Sequence, residues 1–126
     1  MSCQAYNTGC KIIGAEPMNV DDAYRSLQSG KIEHNLATDT IADGLKTNLG
    51  DITFAIIKNY VDNIIRVTED EIKNAMYLIW ERMKIIVEPS SAVALAAVLK
   101  SKPEFKGKKV GLLLSGGNVD LKKLPF

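Results

Sequence analysis

An apolar run near the C-terminus, which ends in a small polar turn, constrains the fold more than any other feature. Residues 110–114 read Val-Gly-Leu-Leu-Leu, and Ser-Gly-Gly-Asn follows at residues 115–118. A short apolar run that ends in a hydroxyl, two glycines and an amide is typical of a buried strand delivering a polar loop to the rim of a sheet. Open α/β sheets bind ligands at that rim. An ordinary strand-end turn is the alternative.

The rest of the chain alternates between strand and helix patterns, without repeats or low-complexity tracts. Strand patterns fall at residues 10–15, 63–67 and 110–114. Helix patterns fall at residues 19–29, 51–57, 68–87 and 90–100. Residues 31–50 are predicted to form an irregular loop. Such alternation favours parallel strands joined by crossover helices. We therefore predict an α/β fold, a partial three-layer parallel sheet with crossover helices, in a single domain over residues 1–126.

Particular side chains mark where the helices start and stop. Residues suited to capping stand at the predicted starts: Asn19, Asp51, Thr68, and Ser90 or Ser91. The clearest is Thr68, because Glu71 three residues later completes a capping box. The amphipathic helix that follows is predicted to run until Pro89 stops it. Three of its side chains are interpreted as core packing rather than as cofactor contacts: Met76, Trp80 and Met83.

Composition and charge exclude several classes of partner. Sixteen Lys and Arg residues oppose fifteen Asp and Glu residues, so the formal charge is +1, and the basic residues are spread along the chain. This pattern offers no footprint for nucleic acid or for an anionic membrane surface. Neither a signal peptide nor an apolar run of membrane length is visible. We expect a soluble cytoplasmic protein, and we assign no role to the lone His34.

Four ordered motifs resemble one known family. They are Gly-Ala-Glu-Pro at 14–17 with Asp-Asp at 21–22, Ile-Ala-Asp-Gly-Leu at 41–45, Val-Glu-Pro-Ser-Ser at 87–91, and the turn at 115–118. Together they are similar to the serine racemase and serine/threonine dehydratase family, pyridoxal-phosphate enzymes of the tryptophan-synthase-β fold. The resemblance covers nearly all of the chain but only the C-terminal portion of the family's pattern. It implies a fragment of the large α/β domain of such an enzyme.

The resemblance implies a set of contacts to pyridoxal 5'-phosphate. It places Ser115 at the pyridine nitrogen of the cofactor, where a hydroxyl can form a hydrogen bond without forcing a proton onto the ring. Gly116 would let the backbone pass close to the ring, and Gly44 would pack beside it. Glu88 would lie close to the cofactor. For Gly44, a plain turn explains the Asp-Gly pair equally well.

A second set of residues suits a divalent cation. Glu16, the carbonyl of Val20 and Asp22 offer hard oxygen ligands of the kind that Mg²⁺, Ca²⁺ or Mn²⁺ prefers. The resemblance supports this site, because the corresponding positions bind a divalent cation in eukaryotic serine racemases. The alternative is that acidic residues in a first helical turn are favoured by the helix dipole alone.

Two further positions match an effector site of the family. Lys84 and Asn118 correspond to positions of the ATP site in mammalian-type racemases, and Glu88 lies close to that site as well. Each of the two is equally well explained as a surface residue of this chain.

The activity that the resemblance implies is abstraction of the α-proton of serine or threonine by a homodimeric enzyme. Racemisation follows, or elimination to pyruvate and ammonia. The family's Schiff-base lysine and phosphate loop have no visible counterpart in this sequence, so no catalytic residue is assigned and we expect the isolated chain to be inactive. The alternative function is a non-catalytic, truncated partner of an intact family subunit. An unrelated small α/β binding domain would require all four motif matches to be coincidence.

Overall fold

The computed structural model describes residues 2–6 and 8–126, and its centre is a parallel pair of strands. Strand β1 is Ile13–Pro17 and strand β2 is Asn63–Val67. The register runs from Ile13 opposite Asn63 to Pro17 opposite Val67. Among the described residues these two strands form the whole sheet. The predicted α/β class is confirmed, although the first strand lies a few residues later than its pattern suggested.

Six helices are described around the sheet. They are α1 (Ser2–Ala5), α2 (Asp22–Ser29), α3 (Asp51–Tyr60), α4 (Glu69–Leu78), α5 (Pro89–Lys100) and α6 (Lys102–Phe105). The predicted irregular loop at 31–50 contains one short 3-10 turn, Asp43–Leu45. Helices α2 and α3 lie in the crossover between the two parallel strands, as this connection requires. No helix of the described chain is both long enough and apolar enough to cross a membrane.

The predicted capping box is confirmed at the start of α4. The Thr68 hydroxyl accepts a hydrogen bond from the Glu71 N–H (3.2 Å), and the Glu71 carboxylate accepts one from the Thr68 N–H (2.7 Å). The prediction for Asn19 is wrong, because Asp21 occupies the cap position of α2 and the Asn19 amide donates to the Asp39 carbonyl instead. The Asn19 side chain therefore binds the loop at residue 39 and does not cap the helix.

Two other cap predictions are wrong by one to three residues. The cap position of α3 is Gly50, and Asp51 lies in the first turn, where its charge still complements the helix dipole. The cap position of α5 is Glu88, while Ser90 and Ser91 lie inside the first turn. Pro89 therefore opens α5 and does not stop the preceding helix, consistent with the preference of proline for a first helical turn.

Helix α4 ends earlier than its apolar pattern predicted. It passes at Ile79 into a π turn, Ile79–Met83, and Lys84 then takes a left-handed conformation with φ of 58°. The Trp80 indole N–H donates to the Val87 carbonyl (3.0 Å), which holds the following segment against the helix. Trp80 is half-buried against the core as predicted, whereas Met83 is exposed and its assignment to the core is wrong. The apolar spacing continued beyond the point where the α-helical backbone stopped.

The hydrophobic core lies between α4, α5 and the sheet. Side chains from the two helices and the π turn are fully or almost fully buried: Ile72, Ala75, Met76, Ile79, Ala92, Val93, Ala96 and Ala97. From the sheet, Ile65 and Val67 complete the same cluster. Small residues on α5 let the two helices approach closely, so this part of the chain is packed by its own side chains.

The prediction of a strand at residues 110–114 is wrong, and this is the main difference between the predicted and the observed fold. This segment pairs with no other described residue in a sheet, and Leu112 and Leu113 are 41% and 83% exposed. Leu114 alone of this run packs against the core cluster. An apolar run predicts a strand that is covered on both faces, but its ladder partners must come from neighbouring strands and its cover from the helices that pack on the sheet.

Candidate functional site

The turn at residues 115–118 is held against the start of α5 at Gly116. The Gly116 N–H donates to the Ser91 hydroxyl (2.7 Å), and the same hydroxyl donates to the Gly116 carbonyl (2.9 Å). The Glu88 N–H also donates to that carbonyl (3.1 Å). Ser115, one residue earlier, is exposed. The structure thus fixes the backbone of the turn and leaves the adjacent hydroxyl available to a ligand.

Both glycines of the turn approach the segment before α5 closely, and at Gly117 the neighbour is a backbone atom that cannot easily move. A Cβ atom at Gly116 would lie 2.6 Å from the Glu88 carboxylate, and one at Gly117 would lie 2.9 Å from the Ile86 carbonyl oxygen. The Glu88 carboxylate in turn accepts a hydrogen bond from the Asn118 N–H (3.1 Å). In this structure the two glycines of the turn therefore lie close to residues 86–88.

The loop that carries Gly44 reaches the same place from the other side. Its N–H donates to the Ser90 hydroxyl (3.1 Å), and a Cβ atom at Gly44 would lie 3.8 Å from the Glu88 carboxylate. Four predicted site residues thus meet around the first turn of α5: Gly44, Glu88, Gly116 and Asn118. Their predicted roles toward a cofactor or nucleotide stay predictions, but their proximity is a property of the fold.

The sequence reasoning missed the residues that hold this cluster together. It treated Ser90 and Ser91 as capping residues, whereas their hydroxyls bind Gly44 and Gly116. It also assigned nothing to Glu69, whose carboxylate accepts from the Ile41 N–H (2.8 Å) and so fastens the Gly44 loop to α4. The sequence did contain a signal, because two serines directly follow Pro89. Proline is favoured in the first turn of a helix, so these serines lie inside the helix and their hydroxyls are not needed as caps.

The candidate cation residues lie at the end of β1 and the start of α2. The two Glu16 oxygens accept hydrogen bonds from the Ala23 N–H (3.2 Å) and the Tyr24 N–H (2.8 Å). Burial raises the pKa of Glu16 to about 7, and the nearby Asp22 charge adds to the rise, against the lowering effect of the two backbone bonds. Burial therefore disfavours the charged form of this carboxyl relative to an exposed glutamate.

Asp22 is also occupied by groups of the chain. Its carboxylate accepts hydrogen bonds from the Asn35 side chain (3.1 Å) and the Leu49 N–H (2.8 Å), which ties the loop at 31–50 to α2. Val20 is buried beside it. No group of three or more acidic, histidine or cysteine side chains within the described ranges is arranged to hold a metal ion. The predicted cation set contains two carboxylates and a carbonyl, and binding there stays a prediction.

The two predicted nucleotide residues differ in their position. Asn118 belongs to the cluster through its backbone N–H, which is bound by Glu88. Lys84 lies after the π turn with an exposed side chain. Their roles toward a nucleotide stay predictions.

Comparison with known proteins identifies the family. The family model for pyridoxal-phosphate dependent enzymes matches residues 2–116. The chain belongs to the pyridoxal-phosphate dependent enzyme family. The serine racemase of Dictyostelium discoideum is 54% identical over 98% of this chain and 40% of its own length. The beta-hydroxyaspartate dehydratase of Paracoccus denitrificans is 49% identical over 92% of this chain and 37% of its own length.

A solved structure confirms the fold. The maize serine racemase is 40% identical and superposes with a TM-score of 0.90, covering 96% of this chain and 38% of that one. The chain spans about 40% of the length of the curated relatives from Dictyostelium and Paracoccus. The predicted family, cofactor class and α/β fold are thereby confirmed.

The residues around the first turn of α5 fit one side of a pyridoxal-phosphate ring. Ser115 offers an exposed hydroxyl that can donate to a ring nitrogen, on a backbone fixed at Gly116. Gly44 and Gly116 both approach Glu88, since a Cβ atom at these positions would lie 3.8 Å and 2.6 Å from its carboxylate. The Ser115 hydroxyl is thus a suitable hydrogen-bond donor to a heteroaromatic nitrogen.

Proposed function

We propose that this chain forms the ring-contacting part of a pyridoxal-phosphate enzyme that abstracts the α-proton of serine, threonine or a 3-hydroxyaspartate. Racemisation returns the proton to the α-carbon. Elimination releases the β-hydroxyl as water, and hydrolysis of the resulting imine takes up one water and releases ammonia, which gives pyruvate from serine. One observation carries the proposal: the exposed Ser115 follows directly on an apolar run and precedes a clamped Gly116, in a chain 54% identical to a serine racemase.

The cofactor supplies the electron withdrawal that acidifies the α-hydrogen. The contribution of this chain is to bind and orient the ring. The Ser115 hydroxyl donates to the ring nitrogen and leaves it neutral, which moderates that electron withdrawal. Glu88 stiffens the turn by accepting from the Asn118 N–H, and Gly44 keeps the neighbouring wall flat. Isolated from the family's Schiff-base lysine and phosphate loop, these groups do not complete a catalytic site.

A chimera tests the ring contact directly. This chain replaces the matching segment of the Dictyostelium serine racemase, and cofactor affinity, cofactor absorbance, racemisation and pyruvate formation are measured. We expect Ser115→Ala to weaken cofactor binding and to lower both activities about tenfold, since the hydrogen bond to the neutral ring nitrogen is lost. Ser115→Asp should protonate the ring nitrogen and shift the cofactor absorbance.

Thr53→Ala serves as the control, because Thr53 is exposed on α3, outside the candidate site. The proposed contact is wrong if Ser115→Ala retains the affinity and the absorbance of the unmodified chimera.

The same proposal includes Mg²⁺ or Ca²⁺ at Glu16, the Val20 carbonyl and Asp22. Support comes from the two neighbouring carboxylates and from the raised pKa of Glu16, because burial and the nearby Asp22 charge both disfavour its charged form. Millimolar metal should raise the melting temperature by mass action, and Glu16→Gln should remove the gain. The gain should be smaller at pH 6 than at pH 8, because a protonated Glu16 is not a ligand.

Glu104→Gln, on an exposed residue of α6, is the matched control for loss of one carboxylate. A wild-type melting temperature that is identical with and without metal at pH 8 would remove the cation from the proposal for this chain.

ATP as an effector at Lys84 and Asn118, a homodimeric enzyme and a cytoplasmic location complete the proposal. Support for the nucleotide is limited to the place of Asn118 beside Glu88. Lys84→Ala in the chimera should reduce the response of the activity to added ATP without altering its basal level. An unchanged response to ATP would contradict the assignment of Lys84.

The second candidate function is a non-catalytic partner that docks with an intact family subunit. The exposed apolar run at Leu112 and Leu113 favours it, because these side chains lie uncovered in the chain by itself. Co-expression of the tagged chain with the Dictyostelium serine racemase should then yield a stable mixed complex with altered activity. Recovery of the two proteins as separate species would exclude this function for that pair.

A further inference from the structure

The side chain of Ser91 makes an unusual pair of contacts for a helix residue. It is 4% exposed and lies in the first turn of α5. Its hydroxyl accepts from the N–H of Gly116 and donates to the carbonyl of the same residue, 25 positions further along the chain. One side chain thereby satisfies both main-chain polar groups of one residue in the candidate site.

These contacts are separate from helix capping. Glu88 holds the cap position of α5, and its carbonyl accepts from the backbone N–H of Ser91 (3.1 Å). The hydroxyl of Ser91 is therefore not needed to start the helix. The neighbouring Ser90 provides a natural comparison, because its hydroxyl accepts from Gly44 on the other loop of the cluster.

Fixing Gly116 has a direct consequence for Ser115. The peptide plane between the two residues contains the Gly116 N–H, so a bond to that N–H fixes the backbone rotation of Ser115 and the direction of its side chain. Glycine is the residue least able to hold such a plane by itself, since it populates more of the backbone map than any other residue. Without Ser91, the Gly116 carbonyl would keep its bond from Glu88, but the N–H would lose its partner.

We propose that Ser91 is a positioning residue that aims the Ser115 hydroxyl at the ring of the bound cofactor. The inference rests on the proposed function, because it takes Ser115 as the ring contact. Ser91 acts through the backbone of Gly116 and needs no contact with the cofactor or substrate. Its effect on the cofactor should therefore be transmitted entirely through Ser115.

The first arm of the experiment measures the turn in the full chain without cofactor. Amide hydrogen exchange of Gly116 should become at least about tenfold faster in Ser91→Ala, because its N–H loses its acceptor. Ser90→Ala should leave Gly116 protected and accelerate Gly44 instead. Ser91→Thr keeps the hydroxyl and should keep Gly116 protected. Equal exchange of Gly116 in the wild type and Ser91→Ala would overturn the inference.

The second arm uses the chimera with the Dictyostelium serine racemase, with cofactor affinity and cofactor absorbance as readouts. Ser91→Ala should weaken cofactor binding about tenfold and shift the absorbance in the direction of Ser115→Ala. The double variant should resemble Ser115→Ala alone, since two residues that act through one contact are not additive. Ser91→Thr should restore the affinity.

The outcomes separate the two proposals. If Ser115→Ala alters the cofactor and Ser91→Ala does not, the ring contact stands and the positioning role of Ser91 is wrong. If neither variant alters affinity or absorbance, the ring contact itself fails and the role of Ser91 fails with it. If the two effects simply add in the double variant, Ser91 acts on the cofactor by another route, which also overturns the inference.

Discussion

The packed helix pair, α4 with α5, and the C-terminal segment, residues 106–126, are both rich in apolar side chains, yet the fold treats them in opposite ways. Ile72 and Met76 on α4 are fully buried, whereas Leu112 and Leu113 in the C-terminal segment are 41% and 83% exposed. The helix pair supplies its own cover because its two apolar faces oppose each other. In the C-terminal segment, Leu114, Val119 and Leu124 pack against the core cluster, whereas Leu112 and Leu113 remain exposed. Apolar sequence alone thus does not make a core.

The polar contacts of the two regions also differ, because the capping box of α4 is local and the contacts that hold the C-terminal segment to the rest of the fold are long-range. Helix α4 is held at its start by the reciprocal capping box of Thr68 and Glu71. The C-terminal segment is held to the rest of the fold at Gly116 and Asn118, through Ser91 and Glu88. The candidate cofactor turn therefore depends on the helix pair for its position.

The largest effect that tests this contrast is catalytic. Because the proposed ring contact, Ser115, lies in a segment whose apolar run is exposed, we expect the purified chain with added pyridoxal phosphate and Mg²⁺ to show no serine racemisation and no pyruvate formation above free cofactor. Chiral chromatography and a coupled pyruvate assay measure the two products. A turnover that Ser115→Ala abolishes would show that the segment is functionally complete in this chain.

The next effect is on stability. Met76→Ala should lower the free energy of unfolding by about 2–5 kcal/mol, because it opens a cavity at a fully buried position. Leu113→Ala should change it by less than about 0.5 kcal/mol, since this side chain is 83% exposed. Urea unfolding followed by circular dichroism compares the two. Similar losses for both variants would mean that the C-terminal segment is packed in solution.

Self-association is the third test of the same contrast. The exposed apolar run and a net charge near zero should make the chain associate and bind a hydrophobic dye. Leu113→Lys should reduce both, whereas Leu36→Lys, on a similarly exposed leucine of the loop at 31–50, should change them little. A compact, dye-negative wild-type monomer in size-exclusion chromatography would contradict the expectation.

The helix pair was largely predictable from sequence because its signals are local. The capping box requires only Thr68 and Glu71 at the correct spacing, and the apolar positions of α4 follow from helical periodicity. The end of α4 was not predictable in this way. The Trp80 indole bonds the Val87 carbonyl across the π turn, and this contact exists only in the folded chain.

The candidate site was predictable in its members but not in its assembly. The ordered motifs brought Gly44, Glu88 and Gly116 to attention, and the structure places them together. The contacts that join them run through Ser90 and Ser91, whose position after a proline suggested a local capping role instead. Long-range hydrogen bonds between loops leave no periodic signal, so they escape pattern analysis.

The smallest expected effect on stability concerns the capping box at the start of α4. Thr68→Ala should lower the free energy of unfolding by about 1 kcal/mol, because the Glu71 N–H loses its acceptor. Asp120→Ala is the matched loss of a local side-chain acceptor in the C-terminal segment, where the Asp120 carboxylate accepts from the Lys122 N–H. It should cost less than about 0.5 kcal/mol. Thermal unfolding measures both losses of unfolding free energy. Equal losses would contradict the difference that we expect between the two regions.

The pH dependence of this cap sharpens the same prediction. Burial alone would raise the pKa of Glu71, but the bonds from Thr68 and Lys100 outweigh it and lower the pKa below its ordinary value of 4.5. The unfolded chain therefore binds this proton more readily than the folded one. The stabilisation is complete above the unfolded pKa and is lost as the pH falls through the lower folded value. Glu71→Gln should flatten this part of the profile of unfolding free energy against pH, and an unchanged slope below pH 4.5 would show that the carboxylate does not stabilise α4.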